Sequence, residues 1–312
     1  MPERARAARI TQRLVFVTGK GGVGKSTIAA ALAAQSAALG VRTLLVVSTE
    51  KDAPSELFAA TVRYAPTQVA PSLSISRVDG RSALKEYVHR TVWPPRLYDW
   101  FLDSRALAHF TEAAPGFEEL LSLGKLYDLA TGNDFARVVF DAPSTGHALL
   151  MLGVPSVTVS AVKTGALNRN AQKIRLMLED AARTAIVTVA LPEEMSVRET
   201  LELRDRMRTE IGLPLGPVIA NRVRRQLFAS DEIDALGRIA APSATLAAMI
   251  DSAQARFDLS AVQATHLDAL QAGCDGAAVH SVAEVVRDRF DETGLVAEVA
   301  ASLASIVARP AP

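Results

Sequence analysis

Two lysines, Lys20 and Lys25, stand inside a short run rich in glycine and closed by two hydroxyls: Gly19-Lys20-Gly21-Gly22-Val23-Gly24-Lys25-Ser26-Thr27. Far along the chain, Asp141 ends the apolar stretch Val138-Val139-Phe140, and Ala142-Pro143-Ser144-Thr145-Gly146-His147 follows at once. Glycines let a backbone take positive φ and bring its N–H groups onto an anion without a Cβ in the way. A lysine adds a point charge, while a hydroxyl and a carboxylate are hard oxygen donors suited to Mg²⁺. The combined chemistry is the grip of a polyphosphate and its metal ion.

Elements must bring these groups together. Leu14-Val15-Phe16-Val17-Thr18 reads as a buried strand that delivers the glycine loop into a helix. This is the arrangement in which successive N–H groups and the helix N-terminus surround phosphate. The expected ligand is a nucleoside triphosphate, with the loop from Gly19 to Thr27 as its cradle, Lys25 at the β- and γ-phosphates and the Ser26 hydroxyl on Mg²⁺. Lys20 is not required by the ordinary form of such a loop and is poorly placed to reach its own γ-phosphate, so it points elsewhere. Asp141, at a strand tip beside the loop, is the acidic metal partner. Gly146 brings a backbone N–H toward the γ-phosphate, which makes its turn a switch between triphosphate and diphosphate. His147 is left between a relay, a dimer contact and a helix-start residue.

Short β-branched runs alternate with longer helical patterns, which predicts an α/β fold with a mainly parallel central sheet flanked by helices. Strands are expected over 14–18, 43–48, 73–78, 137–141, 157–162, 184–190, 217–221 and 277–282. Their apolar residues come in unbroken blocks, as in strands covered on both faces. The stretches 82–131 and 222–272 carry no strand pattern and predict a helical subdomain formed by two insertions in one domain spanning 1–312. The first stretch holds eight of the sixteen aromatic residues, which favours a compact helical core over an open groove. A last helix is expected over 294–307.

At 312 residues and 49% hydrophobic content the chain can bury a large core. Its 34 basic and 34 acidic residues cancel, so no global field favours nucleic acid or an anionic membrane. No transmembrane segment is expected. Arg4, Arg6, Arg9 and Arg13 read as a solvated tail, and Arg309-Pro310-Ala311-Pro312 as a frayed end. Cys274 is the single cysteine of the chain, which fits a reducing, cytoplasmic location and excludes a multi-thiolate metal site within it.

The loop GKGGVGKST, the strand and turn VVFDAPSTGHALLML, Ala114-Pro115-Gly116-Phe117-Glu118-Glu119-Leu120 before it and Leu191-Pro192-Glu193-Glu194-Met195 after it together resemble the arsenite-pump and tail-anchored-protein-targeting ATPase family. That family belongs to a wider class of phosphate-loop ATPases with the additional lysine, which includes the cell-division and plasmid-partition ATPases and nitrogenase iron protein. The resemblance implies an Mg²⁺-dependent ATPase that works as a homodimer, with Lys20 of each subunit crossing to its partner's phosphates as an arginine finger does. It implies an adenine contact from Asn221, and the guanine-selecting Asn-Lys-x-Asp pattern is absent there. It also implies a protein or peptide client on the helical subdomain.

The match departs from the family at Ser48-Thr49-Glu50-Lys51-Asp52-Ala53-Pro54-Ser55, where an Asp-Pro-Ala run orients the attacking water. Strict register places Glu50 in that role, and a short insertion places Asp52 there, the choice that keeps the residue type. One cysteine supplies neither the arsenite pump's cluster nor the CxxC pair of the tail-anchor carriers, so the client stays open. The alternative function is a partition-type ATPase that binds DNA or a surface in its ATP state. It would need a basic face or a basic amphipathic helix. The segment 295–307 contains no basic residue, and Arg222, Arg224 and Arg225 form the densest cluster. A small-molecule kinase would need a second catalytic constellation, which the sequence does not display.

Overall fold

A computed structural model describes residues 9–48, 57–91, 116–239, 243–286 and 291–310. Its apolar blocks form one eight-stranded sheet: β1 (Leu14–Gly19), β2 (Thr43–Ser48), β3 (Thr67–Ala70), β4 (Leu73–Val78), β5 (Arg137–Ser144), β6 (Thr184–Ala190), β7 (Leu215–Val223) and β8 (Val279–Ala283). The order across the sheet is β3-β4-β2-β5-β1-β6-β7-β8. All neighbours are parallel except β3, which returns antiparallel along β4 at the edge. Strand β1 lies centrally, with Leu14 opposite Val138 of β5 on one side and Thr184 of β6 on the other.

The blocks are unbroken because both faces of the central strands are covered. Leu14 and Phe16 of β1, with Leu44 and Val46 of β2, face one core, whereas Val15, Val17, Leu45 and Val47 face the other. Phe16 meets its register partner Phe140 edge to face, with centroids 5.4 Å apart. Such a pair adds about 0.5–1.5 kcal/mol to the area it buries.

The Val15 face is packed by α1 (Lys25–Ala38), through Ile28 and Leu32, and by the last helix of the chain. The Leu14 face is covered by α3 (Phe117–Thr131), α4 (Thr145–Ala161) and α5 (Ala166–Glu179). Helix α2 (Gly80–Thr91) packs along α3. Helix α6 (Glu194–Arg206) adds Leu203 to the Leu14 face and runs into a wider turn over Met207–Ile211. After α7 (Ser230–Gly237) comes α8 (Ala244–Gly273), thirty residues long, which buries Ser260 and Leu270 and leaves Met249, Leu259 and Val262 exposed. Helix α9 (Glu292–Ser302) contributes Val296 and Val299 to the Val15 face.

Several expectations are corrected. The segment 157–162 is not a strand: α4 continues through it to Ala161, because Ala148, Leu149, Met151 and Leu152 bury one helical face and draw the β-branched residues after them into the same helix. The short edge strand β3 has no apolar run to announce it. Helix α9 stops at Ser302, and the chain then pairs Val307 with Ile10. Neither described end is free. Arg13 donates to the carbonyls of Gly132 and Phe135, and Arg309 Nε donates to the Leu39 carbonyl at 3.1 Å.

Arg137 holds the two ends in place. It opens β5, is 1% exposed, and donates to the carbonyls of Gln12 (3.1 Å), Ile10 (3.0 Å) and Ala308 (2.7 Å) and to Ser36 Oγ (2.8 Å). Burial pulls its pKa down from the ordinary arginine value to about 10, so the guanidinium remains charged at neutral pH.

Candidate functional site

The phosphate loop leaves the carboxyl end of β1 where β5 and β6 flank it, the crevice in which open α/β sheets bind ligands. Gly19 has φ +150°, and a Cβ there would stand 2.2 Å from the Val189 carbonyl oxygen of β6. Gly24, at φ +90°, is the residue before α1, and a Cβ on it would lie 2.3 Å from Asn221 Nδ2. Between them, Cβ positions at Gly21 and Gly22 meet no atom within 4 Å. The middle of the loop is thus an open cradle, and its two ends are closely packed.

Lys25 begins α1, is buried, and donates from Nζ to the Lys20 carbonyl oxygen at 2.7 Å, so its ammonium curls back over the loop. Ser26 Oγ donates to Asp141 Oδ2 at 2.6 Å, although the two residues come from different strand–helix units. Asp141 is 0% exposed. A hydroxyl and a carboxylate joined in this way form a hard-oxygen pair that suits Mg²⁺ rather than a thiophilic metal. The expected strand-tip acid and loop hydroxyl are therefore together.

Strand β5 runs past Asp141 to Ser144, and Gly146 lies in the first turn of α4, where helix N–H groups are unpaired within the helix. A Cβ at Gly146 would meet nothing within 4 Å. The half-exposed His147 has Nε2 3.3 Å from Glu119 Oε1 of α3, an ion pair when the ring is protonated. Asn221, near the end of β7, is buried and donates from Nδ2 to the Val23 carbonyl at 2.9 Å. It braces the loop from beneath. Asp52 and Glu50 lie outside the described residues.

Three side chains make contacts that carry no sequence signal. Thr18 Oγ1 donates to the Pro143 carbonyl at 3.1 Å, tying the end of β1 to the turn after Asp141. Lys20 Nζ lies 2.7 Å from Glu199 Oε1 of α6 in the same chain. Arg204 Nη1, also from α6, donates to Thr188 Oγ1 at 3.0 Å and to the Gly216 carbonyl at 3.1 Å. Each joins different elements through side chains that are ordinary by type, so only the fold reveals them.

Of the eight aromatics in 82–131, Trp93, Tyr98, Trp100, Phe101 and Phe110 lie outside the described residues. Tyr87, Phe117 and Tyr127 line a cavity of about 560 Å³ between α2, α3 and α5. A second groove, about 770 Å³, starts at Gly146 and follows α4 past the exposed Leu150 and Val157. No described helix is long and apolar enough to cross a membrane.

A strand–loop–helix phosphate cradle at the centre of a mainly parallel sheet, with a strand-tip acid on the loop's hydroxyl, defines a P-loop NTPase fold. Residues 12–174, more than half of the chain, match the family described as anion-transporting ATPase, and the chain belongs to that family. It is 31% identical over 228 residues to the ATPase BagA of Mycobacterium tuberculosis, covering 67% of this chain and 65% of that protein. It is 27% identical over 264 residues to the ATPase GET3 of Eremothecium gossypii, covering 71% and 74%. With the arsenical pump-driving ATPase of Escherichia coli it shares 28% over 240 residues, 70% of this chain and 40% of that one. A Halobacterium salinarum relative is matched over 35% of its length, so the chain spans between about a third and two thirds of several relatives.

Proposed function

We infer that this chain is an Mg²⁺-dependent ATPase acting as a nucleotide-switched homodimer, which couples hydrolysis to the binding or release of a protein or peptide client. The observation that carries this reading is the Ser26–Asp141 pair at the mouth of an open glycine cradle with Lys25 folded over it. The geometry fits a triphosphate and its metal. The cradle's N–H groups and the Lys25 ammonium would hold the phosphates, with Ser26 and Asp141 holding Mg²⁺. Mg²⁺ held there would supply charge neutralisation for phosphoryl transfer.

The chain's own residues do the remainder. Lys25 exchanges a neutral carbonyl for a charged phosphate oxygen, a stronger acceptor. Gly146 sits where α4 starts, so a γ-phosphate drawing on its N–H would bias that helix, and His147–Glu119 would pass the shift to α3. Asp52 is the proposed water-positioning acid, and Lys20 is proposed to act on the facing subunit. The client surface is proposed on the helices of 82–131 and 222–272, and in the first of these Tyr87, Phe117 and Tyr127 offer apolar walls. The name of one relative, arsenical pump-driving ATPase, favours a pump partner, and the sequence resemblance around Asp141–His147 favours a targeting one. Within these 312 residues the one cysteine, Cys274, is buried and its thiol pKa is raised by that burial, so arsenite as a thiolate-bound substrate is disfavoured.

Sedimentation with and without Mg-ATP, beside a phosphate-release assay, tests this reading. ATP should drive a dimer, and Lys25→Ala should lower turnover by at least about 100-fold, in the range for loss of a preorganised charge at a transition state. Turnover unchanged in Lys25→Ala would overturn it.

A further inference from the structure

Gly19 turns the chain over the carboxyl end of β6, and that turn delivers Lys20 to the middle of α6. There Lys20 Nζ meets Glu199 Oε1 at 2.7 Å, with side chains 34% and 32% exposed. Helix α6 is a fixed platform. Ser196 Oγ accepts from the Leu191 N–H at 2.9 Å near its first turn, and Arg204, 5% exposed, binds Thr188 and Gly216 farther along. Val197, Thr200 and Leu203 bury the helix face between these anchors. Glu199 is therefore unable to travel with Lys20, and any movement of the ammonium toward another acceptor breaks the pair.

We propose that Glu199 is a positioning residue that parks Lys20 on its own subunit, and that ATP-driven closure of two subunits releases it. Each Lys20 then exchanges the Glu199 carboxylate for a phosphate oxygen of the facing subunit. This rests on the reading of Lys20 as a group acting in trans. An ion pair this exposed is weak and screened by salt. It biases the open state while remaining easy to break. A two-fold dimer breaks two such pairs on closing, so the bias enters twice. Glu199 should thus set how much protein is needed for closure and leave the chemistry of the closed dimer unchanged.

The test measures dimer formation by sedimentation with Mg-ATP, and ATP turnover, across protein concentration. The proteins are wild type, Glu199→Gln, Glu199→Asp, Lys20→Ala and the Lys20→Ala/Glu199→Gln double variant. Glu199→Gln should form dimer, and reach half-maximal turnover, at a concentration roughly 2- to 30-fold lower than wild type. Its plateau turnover and thermal midpoint should match wild type, and Glu199→Asp, which keeps the charge, should lie near wild type. In the Lys20→Ala background, adding Glu199→Gln should not shift dimer formation further. An unchanged or higher midpoint concentration in Glu199→Gln, a lower plateau, or a shift that persists without Lys20 would overturn the proposal. Normal turnover in Lys20→Ala would instead overturn the trans reading beneath it, which separates the two failures.

Discussion

Strand β5 carries one buried charge at its start and another at its middle, and the two are used in opposite ways. Arg137 at its start is surrounded by three carbonyls and a hydroxyl from the segment before β1, from α1 and from the stretch after α9. All four acceptors are neutral and belong to elements that the guanidinium itself clamps together. Asp141, four residues later, accepts from Ser26 Oγ at the edge of a loop whose middle is open. A buried charge enclosed by donors or acceptors from every packed element is a structural staple. A buried charge facing an open cradle is placed to meet a ligand. Burial is nearly equal at the two positions, so what distinguishes them is where their partners come from.

That contrast is broken most sharply by removing one charge at a time. Asp141→Asn keeps the shape and the hydrogen bond to Ser26 while discarding the charge that would balance Mg²⁺. Turnover should fall about 10²- to 10³-fold with little loss of stability. Arg137→Met should do the reverse. Four acceptors lose their donor, so urea unfolding should show a loss of about 3 kcal/mol, with turnover per folded molecule within about twofold of wild type. Phosphate release and denaturation on both variants check the pair, and a variant that loses both properties together would dissolve the distinction.

His280 on the edge strand β8 is a smaller, intermediate case. Its Nε2 is buried, with no hydrogen-bond partner among the described residues, and burial pulls its pKa below the ordinary histidine value. The folded ring is therefore neutral where the unfolded one takes a proton, below about pH 6.5. Its contribution is complete above that pH and is lost as pH falls toward the folded value. His280→Phe should flatten this acid-side decline, an effect smaller than that at Arg137. Stability measured at pH 7.5 and 5.5 checks it, and an unchanged slope would place the ring in contact with solvent.

The nucleotide end was legible in sequence because each residue type there does something local, with glycines making the turn, a lysine bringing charge, and a hydroxyl and a carboxylate suiting a metal. The central strands were legible because cover on both faces turns their composition into continuous apolar blocks. The segment 157–162 misled because Val157, Val159 and Ala161 alternate with period two, while the deciding burial lies one turn earlier in α4. β-Propensity yields to such context. Glu199 was hidden for another reason. It lies 179 residues from Lys20, and nothing in an exposed-looking acid of a polar helix marks which lysine it will meet. Asn221 could be picked out only through family likeness, and its amide braces the loop in addition to any contact with a base.

Mixing two disabled proteins tests most directly whether Lys20 works across the dimer. Lys20→Ala and Lys25→Ala are each expected to be inactive alone. In a mixed dimer, the site with an intact Lys25 would receive Lys20 from the other subunit. Equal mixing should therefore restore about a quarter of wild-type turnover, since half of the dimers are mixed and one of their two sites is complete. Restoration near that level is the predicted result. No restoration, with mixed dimers demonstrably formed, would show that Lys20 serves its own subunit and would contradict the account.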